Sequence, residues 1–232
     1  MAEFTPAFKK TNGNEGGVSY NPVDLGNVVV KGVVTIPTYK GIAPVSHPKW
    51  SGFKYIADAA AKLTAMPAYG TGSYRNWAKH LNRALTAITP LQTAVISFYE
   101  TNFWRFNRLG EIASQDVAEW VYDHIVNAGQ RGVMWIQLAA RVTPDGGMGA
   151  KSLAAINAAD PVELLNLAED IAGAFRLDRA HANPSQIQFL ESWLTRDGQP
   201  ASIIVMVKKA ASDGRLDDSE VVKLKTAMEA VA

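Results

Sequence analysis

A glutamate followed by two glycines, Glu15-Gly16-Gly17, stands nine residues ahead of Asp24, with Lys31-Gly32 soon beyond. Two carboxyl groups set among glycine-rich turns fit the chemistry of glycoside cleavage. One carboxylic acid protonates the leaving oxygen, and a second carboxylate steadies or captures the cationic sugar carbon. Glycine suits such a place because, without a Cβ, the backbone turns sharply and approaches a bulky ligand closely. Glu15 is therefore the candidate acid and Asp24 the candidate second carboxylate. The same residue types also occur in ordinary turns, where an aspartate before Gly26 bonds its own backbone, so residue order alone leaves both readings open.

The elements that must hold these residues follow from local pattern. Residues 15–39 carry β-type chemistry: Val28-Val29-Val30, Val33-Val34 and Thr35-Ile36 are broken by Gly26-Asn27 and Gly32 and closed by Pro37, which predicts a hairpin or a three-stranded sheet. Nearly everything after Trp50 reads as helix. Thr89-Pro90-Leu91-Gln92 offers a cap, a proline at the first helical position and a glutamine at the third, with Leu91, Val95, Phe98 and Tyr99 at helical spacing to about Asn102. Ser114 caps a helix whose stripe is Val117, Trp120, Val121 and Ile125, and Asp160-Pro161-Val162-Glu163 repeats the capping pattern before Leu164, Ala168, Ile171 and Phe175. Residues 66–73 read as an exposed loop. Arg196 to Pro200 separates a final helical pair joined through Ser212-Asp213-Gly214-Arg215, with Asp217 and Glu220 placed as a capping box. The expected organisation is a mainly α domain over 1–198, with its β region at about 15–39 and its helical body at about 50–198, followed by a C-terminal αα-hairpin over 199–232.

Totals narrow the classes of function. With 232 residues, 47% hydrophobic, the chain buries one substantial core. The 23 basic and 22 acidic residues nearly cancel, so nothing global favours wrapping a nucleic acid or coating an anionic membrane. With no cysteine there is no disulfide framework and no thiol nucleophile. His47, His80, His124 and His181 lack metal-ligand spacing, which points away from a zinc site. No stretch approaches the ~18 apolar residues needed to span a bilayer, and Met1 to Lys10 lack the apolar core of a secretory signal. Synthesis in the cytoplasm is therefore expected, and any work outside it would need a separate route of release.

Taken in order, these residues resemble the glycoside hydrolase family 108 N-acetylmuramidases of phages and bacteria, over roughly residues 4–196. Asn14-Glu15-Gly16-Gly17 is similar to the family's Glu-Gly-Gly-Tyr opening. Pro22, Asp24, Gly26, Lys31 and Gly32 fall on its Asp-Pro-x-Asp-Pro-Gly-Gly and Lys-Gly pattern, and Thr35 and Tyr39 follow with one insertion. Tyr99, Trp104 and Ser114, then Asp123 with Val126-Asn127-Ala128-Gly129, resemble later blocks. Asp145 to Leu153 and Asn183-Pro184-Ser185-Gln186 with Phe189, Trp193 and Arg196 resemble a C-terminal helical region of peptidoglycan-binding type.

The resemblance implies a mostly helical, lysozyme-like fold. It further implies cleavage of the β-1,4 bond between N-acetylmuramic acid and N-acetylglucosamine, with Glu15 as acid, no cofactor, and a monomer acting on the peptidoglycan glycan strand. This sequence departs from the family at several site positions. Val18 replaces a tyrosine, Tyr20 and Asn21 replace Asn-Asp, Asn27 replaces a glycine, and Val29 and Val30 replace threonine and asparagine. A valine neither donates nor accepts a hydrogen bond. Contacts to sugar or water are then expected from Asp24, Tyr20, Thr35, Tyr39 or the distant Asn127. The alternative these valines motivate is a non-catalytic glycan-binding or structural protein of a virion or secretion machine.

Overall fold

The computed structural model describes residues 1–12 and 16–230. Glu15, the candidate acid, lies outside the described residues. The described residues form a mainly α, lysozyme-like fold of eleven α-helices with two small antiparallel sheets. They gather into two compact units, 4–106 and 1–3 with 107–232. No described helix is long and apolar enough to cross a membrane.

The first unit begins with α1 (Phe4–Asn12), followed by β1 (Val18–Ser19), β2 (Val28–Val30), β3 (Val33–Ile36) and β4 (Thr38–Tyr39). The anticipated hairpin forms as β2 and β3, turning at Lys31-Gly32, whereas a single three-stranded sheet does not, because β1 and β4 make a second, separate pair. β1 lies antiparallel to β4 with Val18 opposite Tyr39, and β2 lies antiparallel to β3 with Val30 opposite Val33. Asn27 explains the separation. Buried between the pairs, its side chain donates to the Asn21 carbonyl at 2.9 Å and accepts the Thr38 amide, so residues 21–27 close as a turn rather than continuing as a strand.

Three helices then wall the unit: α2 (Gly52–Ala60), α3 (Gly72–Thr86) and α4 (Thr89–Tyr99). Thr71 caps α3 by accepting the Tyr74 amide. The capping box anticipated at Thr89 does not form, because α4 starts at Thr89 with Ile88 before it and no side-chain cap. Gln92 is used for tertiary contacts instead. Its amide donates to the Leu85 carbonyl at 2.8 Å and to the Tyr39 hydroxyl at 3.1 Å, and its oxygen accepts from Lys40 Nζ. A π-helical turn, Glu100–Arg105, carries α4 beyond the expected end at Asn102. Tyr39, Ile42, Ile56, Leu81, Leu85, Leu91 and Val95 form this unit's core.

The second unit holds α5 (Gln115–Ala128), α6 (Arg131–Ala139), α7 (Ala150–Ala158), α8 (Pro161–Ala182), α9 (Ile187–Arg196), α10 (Ala201–Ala210) and α11 (Asp218–Glu229). Ser114 caps α5, the Asp160 carboxylate accepts two amides at the start of α8, and Asp217 with Glu220 forms a full capping box on α11. Each bond satisfies an amide left orphaned in a first helical turn. Gly132 permits close packing of α6 on α5, since a Cβ there would sit 2.7 Å from the His124 carbonyl carbon. The final pair, α10 and α11, does not stand apart. Ile203, Val207, Val221, Leu224 and Met228 share one core with Leu177 of α8 and with Leu190 and Leu194 of α9.

A buried charge cluster ties α5, α8 and the end of α9. Asp197 is fully buried, and its carboxylate accepts from Arg176 Nε at 3.1 Å and faces His124 Nε2 at 3.1 Å. His124 Nδ1 faces the Trp120 carbonyl at 2.7 Å, and the Arg176 guanidinium lies over the rings of Trp135 and Trp193. Beside it, burial pushes the Glu169 carboxyl above the ordinary glutamate range, His124 pulls it down, and Asp170 and Asp197 raise it further. A carboxyl raised in the folded state favours folding while protonated, so this contribution is lost as pH climbs from the unfolded value through the folded one. Glu169→Gln should therefore melt at a higher temperature than wild type at pH 7, with the difference vanishing near pH 4. Equal melting temperatures at both pH values would show that Glu169 carries no such linkage.

Candidate active site

Packing of α1 fixes the chain ahead of the Glu-Gly-Gly motif. Phe4 and Phe8 lie one helical turn apart with centroids at 5.3 Å, Phe4 meets Trp104, and Phe8 meets Tyr99 at 5.9 Å. Aromatic pairs of this kind add roughly 0.5–1.5 kcal/mol beyond their buried area. They fix the helix whose last residue, Asn12, precedes Glu15 by three positions in the chain.

On the other side of Glu15 the chain is held at the peptide joining Gly17 to Val18. The Val18 amide donates to Asn82 Oδ1 on α3 at 2.8 Å, and the Gly17 carbonyl accepts the Lys40 amide at 3.3 Å. Lys40 is fixed in turn: its carbonyl accepts the Tyr99 hydroxyl at 2.6 Å, and its backbone adopts a positive φ of 45°. A Cβ on Gly17 would lie 2.0 Å from Asn82 Oδ1, so a side chain there would push the Asn82 amide out of its place.

Asp24 sits half-buried in the 21–27 turn. Its Oδ1 accepts the Gly26 amide at 2.9 Å and its Oδ2 accepts the Ser19 hydroxyl at 3.3 Å. It thus closes its own turn, and since an ionised carboxylate has about four acceptor sites, capacity remains for a water or a sugar hydroxyl.

The two tyrosines put forward from sequence belong to the packing. Tyr39 is 1% exposed, parallel to Trp50, with its hydroxyl held by Gln92. Tyr20 is 8% exposed and meets Trp77 edge-on at 5.3 Å. Burial, and then the neighbouring Tyr74, push the Tyr20 hydroxyl up to about 12, so it stays protonated. Neither ring lies open to a ligand, because each fills a gap the sheets leave against α3 and α4. Thr35 is exposed on β3 and donates to the Val28 carbonyl at 3.1 Å. Asn127 stands exposed on α5 in the other unit, where it donates to the Asp123 carbonyl. Val29 and Val30 are exposed on their hairpin, Val30 by 53%, and Val34 is the hairpin residue that turns inward.

Of the aromatic residues near the N-terminus, Trp50, Phe53, Tyr74 and Trp77 pack on one another or on the sheets, and Tyr69 is exposed. A cleft of about 560 Å³ lies along α3, lined by Lys62, Thr64, Asn76, Trp77 and His80. The loop from Asp145 is a structural turn. Buried Gln137 donates to Asp145 Oδ1, to the Gly147 carbonyl and to Ser152, and accepts the Gly146 amide. The Gln137 bond first, and then the Gly147 amide, hold the Asp145 carboxyl below its usual range.

Asn82 escaped the sequence reading, and Gln92 entered it only as part of a helix start. Both act over more than fifty residues of chain on backbone or hydroxyl groups, a pairing that leaves no local pattern.

A mainly helical fold with small β-pairs is the lysozyme-like arrangement. Residues 8–129 match the family model described as Glycosyl hydrolase 108, and the chain belongs to that family. It is accordingly a muramidase-type hydrolase whose substrate is the glycan of peptidoglycan. No curated protein matches the chain.

Proposed function

We propose that the protein is an N-acetylmuramidase in which Glu15 is the general acid. Support comes from membership of the glycosyl hydrolase 108 family over a span that includes Glu15-Gly16-Gly17 and the Asp24 turn. In this reading Glu15 passes its proton to the oxygen bridging N-acetylmuramic acid to N-acetylglucosamine. That bond breaks at the muramic acid carbon, and the glucosamine leaves with a new hydroxyl. Water adds its oxygen to the muramic acid carbon and gives up a proton to one of the two carboxylates, so the new reducing end is muramic acid. Asp24 supports the positive charge on that carbon or orients the water. Thr35, exposed on β3, is the polar side chain of the hairpin proposed to meet the strand.

The enzyme is further proposed to act as a monomer, to need no cofactor, and to reach the wall after release from the cytoplasm, as an endolysin does. Its test is release of new reducing ends from purified peptidoglycan in proportion to added protein. Saturable binding with no soluble fragments at any pH would instead select a glycan-binding protein with a degraded site, the role to which the apolar Val29 and Val30 would suit it.

A further inference from the structure

The Gly17–Val18 peptide is gripped on both faces. Asn82 Oδ1 takes its amide at 2.8 Å, and the Lys40 amide reaches its carbonyl at 3.3 Å. Of the two, the Asn82 bond comes from the stiffer element. Asn82 rides on α3 between the fully buried Leu81 and Leu85, and the helix is capped at its start by Thr71. The side chain is also matched to its target by shape. All three amide atoms of Asn82 lie within 2.5 Å of where a Cβ on Gly17 would stand, so the second glycine of the motif is the cavity into which this amide fits. A buried or half-buried amide that meets a backbone N–H this way fixes a peptide plane, and three residues of chain from Val18 back to Glu15 span at most ~11 Å.

We propose that Asn82 is a positioning residue for the candidate acid: its bond to the Val18 amide fixes where the chain leaves the Glu15-Gly16-Gly17 motif, and turnover depends on that anchor. The inference rests on the reading of Glu15 as general acid. Misplacement of a reacting group by about 1 Å can cost on the order of a hundredfold in rate, so the effect belongs in kcat rather than in KM.

The experiment measures kcat and KM on purified peptidoglycan, with melting temperature, for wild type, Glu15→Gln, Asn82→Leu, Asn82→Asp, Gly17→Ala and the double variant Gly17→Ala with Asn82→Ala. Asn82→Leu keeps the volume and removes the acceptor. It should lower kcat by about 10- to 100-fold with KM within about threefold, and Asn82→Asp, which keeps an acceptor, should regain most of that loss. Gly17→Ala should lower both kcat and melting temperature, because its methyl meets the amide. Trimming the amide in the double variant should restore the melting temperature and leave kcat low, since the acceptor is gone. Recovery of kcat together with melting temperature would reduce Asn82 to packing and overturn the proposal. So would an Asn82→Leu enzyme with kcat within threefold of wild type while Glu15→Gln is inactive. An active Glu15→Gln enzyme would remove the acid itself, and the positioning role with it.

Discussion

Glu15→Gln is expected to cut peptidoglycan cleavage by about a thousandfold, within the range of roughly 10² to 10⁴ that a positioned general acid contributes. Glutamine keeps the shape of the side chain and loses the transferable proton, so the leaving sugar must depart as an alkoxide or wait for water to protonate it. Melting temperature should be unchanged within about 2 °C, as expected for an isosteric change worth less than ~0.5 kcal/mol. Asp24→Asn offers a graded comparison. The asparagine oxygen still accepts the Gly26 amide, and the Ser19 hydroxyl can rotate to accept where it formerly donated, so the turn survives while the charge is removed. A loss of about 10- to 100-fold is expected if the charge steadies the cationic carbon. Kinetics on purified peptidoglycan check both values. An Asp24→Asn enzyme at full rate would leave Asp24 with its turn alone.

Asp197→Ala should lower stability by about 3–5 kcal/mol, the cost of breaking a buried ion pair by removing one partner. Arg176 is 5% exposed and has its guanidinium bound to both Asp197 oxygens, so truncation strands a cation between two tryptophan rings. For a chain of this size the loss corresponds to a fall in melting temperature on the order of 10 °C. Replacing the whole cluster, as His124→Leu, Arg176→Met and Asp197→Leu together, should cost less than Asp197→Ala alone, because no charge is then left unpaired. Thermal unfolding of the two variants side by side decides the matter. A fall of under about 1 kcal/mol for Asp197→Ala would mean that water or a neighbouring carboxyl takes over the pairing.

What sequence made legible was the structure decided within a few residues. Ser114, Asp160 and Asp217 cap the helices their spacing announced, because a cap needs only the next three amides. The stripe Val117, Trp120, Val121 and Ile125 is buried as its period required. Thr89-Pro90-Leu91-Gln92 looked like the same device and is not one, since Gln92 finds better partners in Leu85 and Tyr39 than in its own helix end. The β2–β3 hairpin was legible from its valines and Gly32, whereas its separation from the β1–β4 pair was not, since Asn27 brings that about through bonds to residues six and eleven positions away. At the candidate site, types and order put forward Glu15, Asp24 and the glycines, while pattern gave no sign that Tyr20 and Tyr39 face inward. Only the buried neighbours Trp77, Trp50 and Gln92 decide that. The Arg176, His124 and Asp197 cluster was hidden because its members lie 21 and 73 residues apart, although an arginine interrupting the apolar face of α8 is the trace it leaves.

The most direct test of the proposed chemistry is muropeptide analysis of purified peptidoglycan digested by wild type and by Glu15→Gln, with reducing ends reduced before mass analysis. Wild type should release fragments that end in reduced N-acetylmuramic acid, and Glu15→Gln should release almost none. Fragments ending in reduced N-acetylglucosamine, or equal release by both proteins, would contradict the assignment of bond and acid.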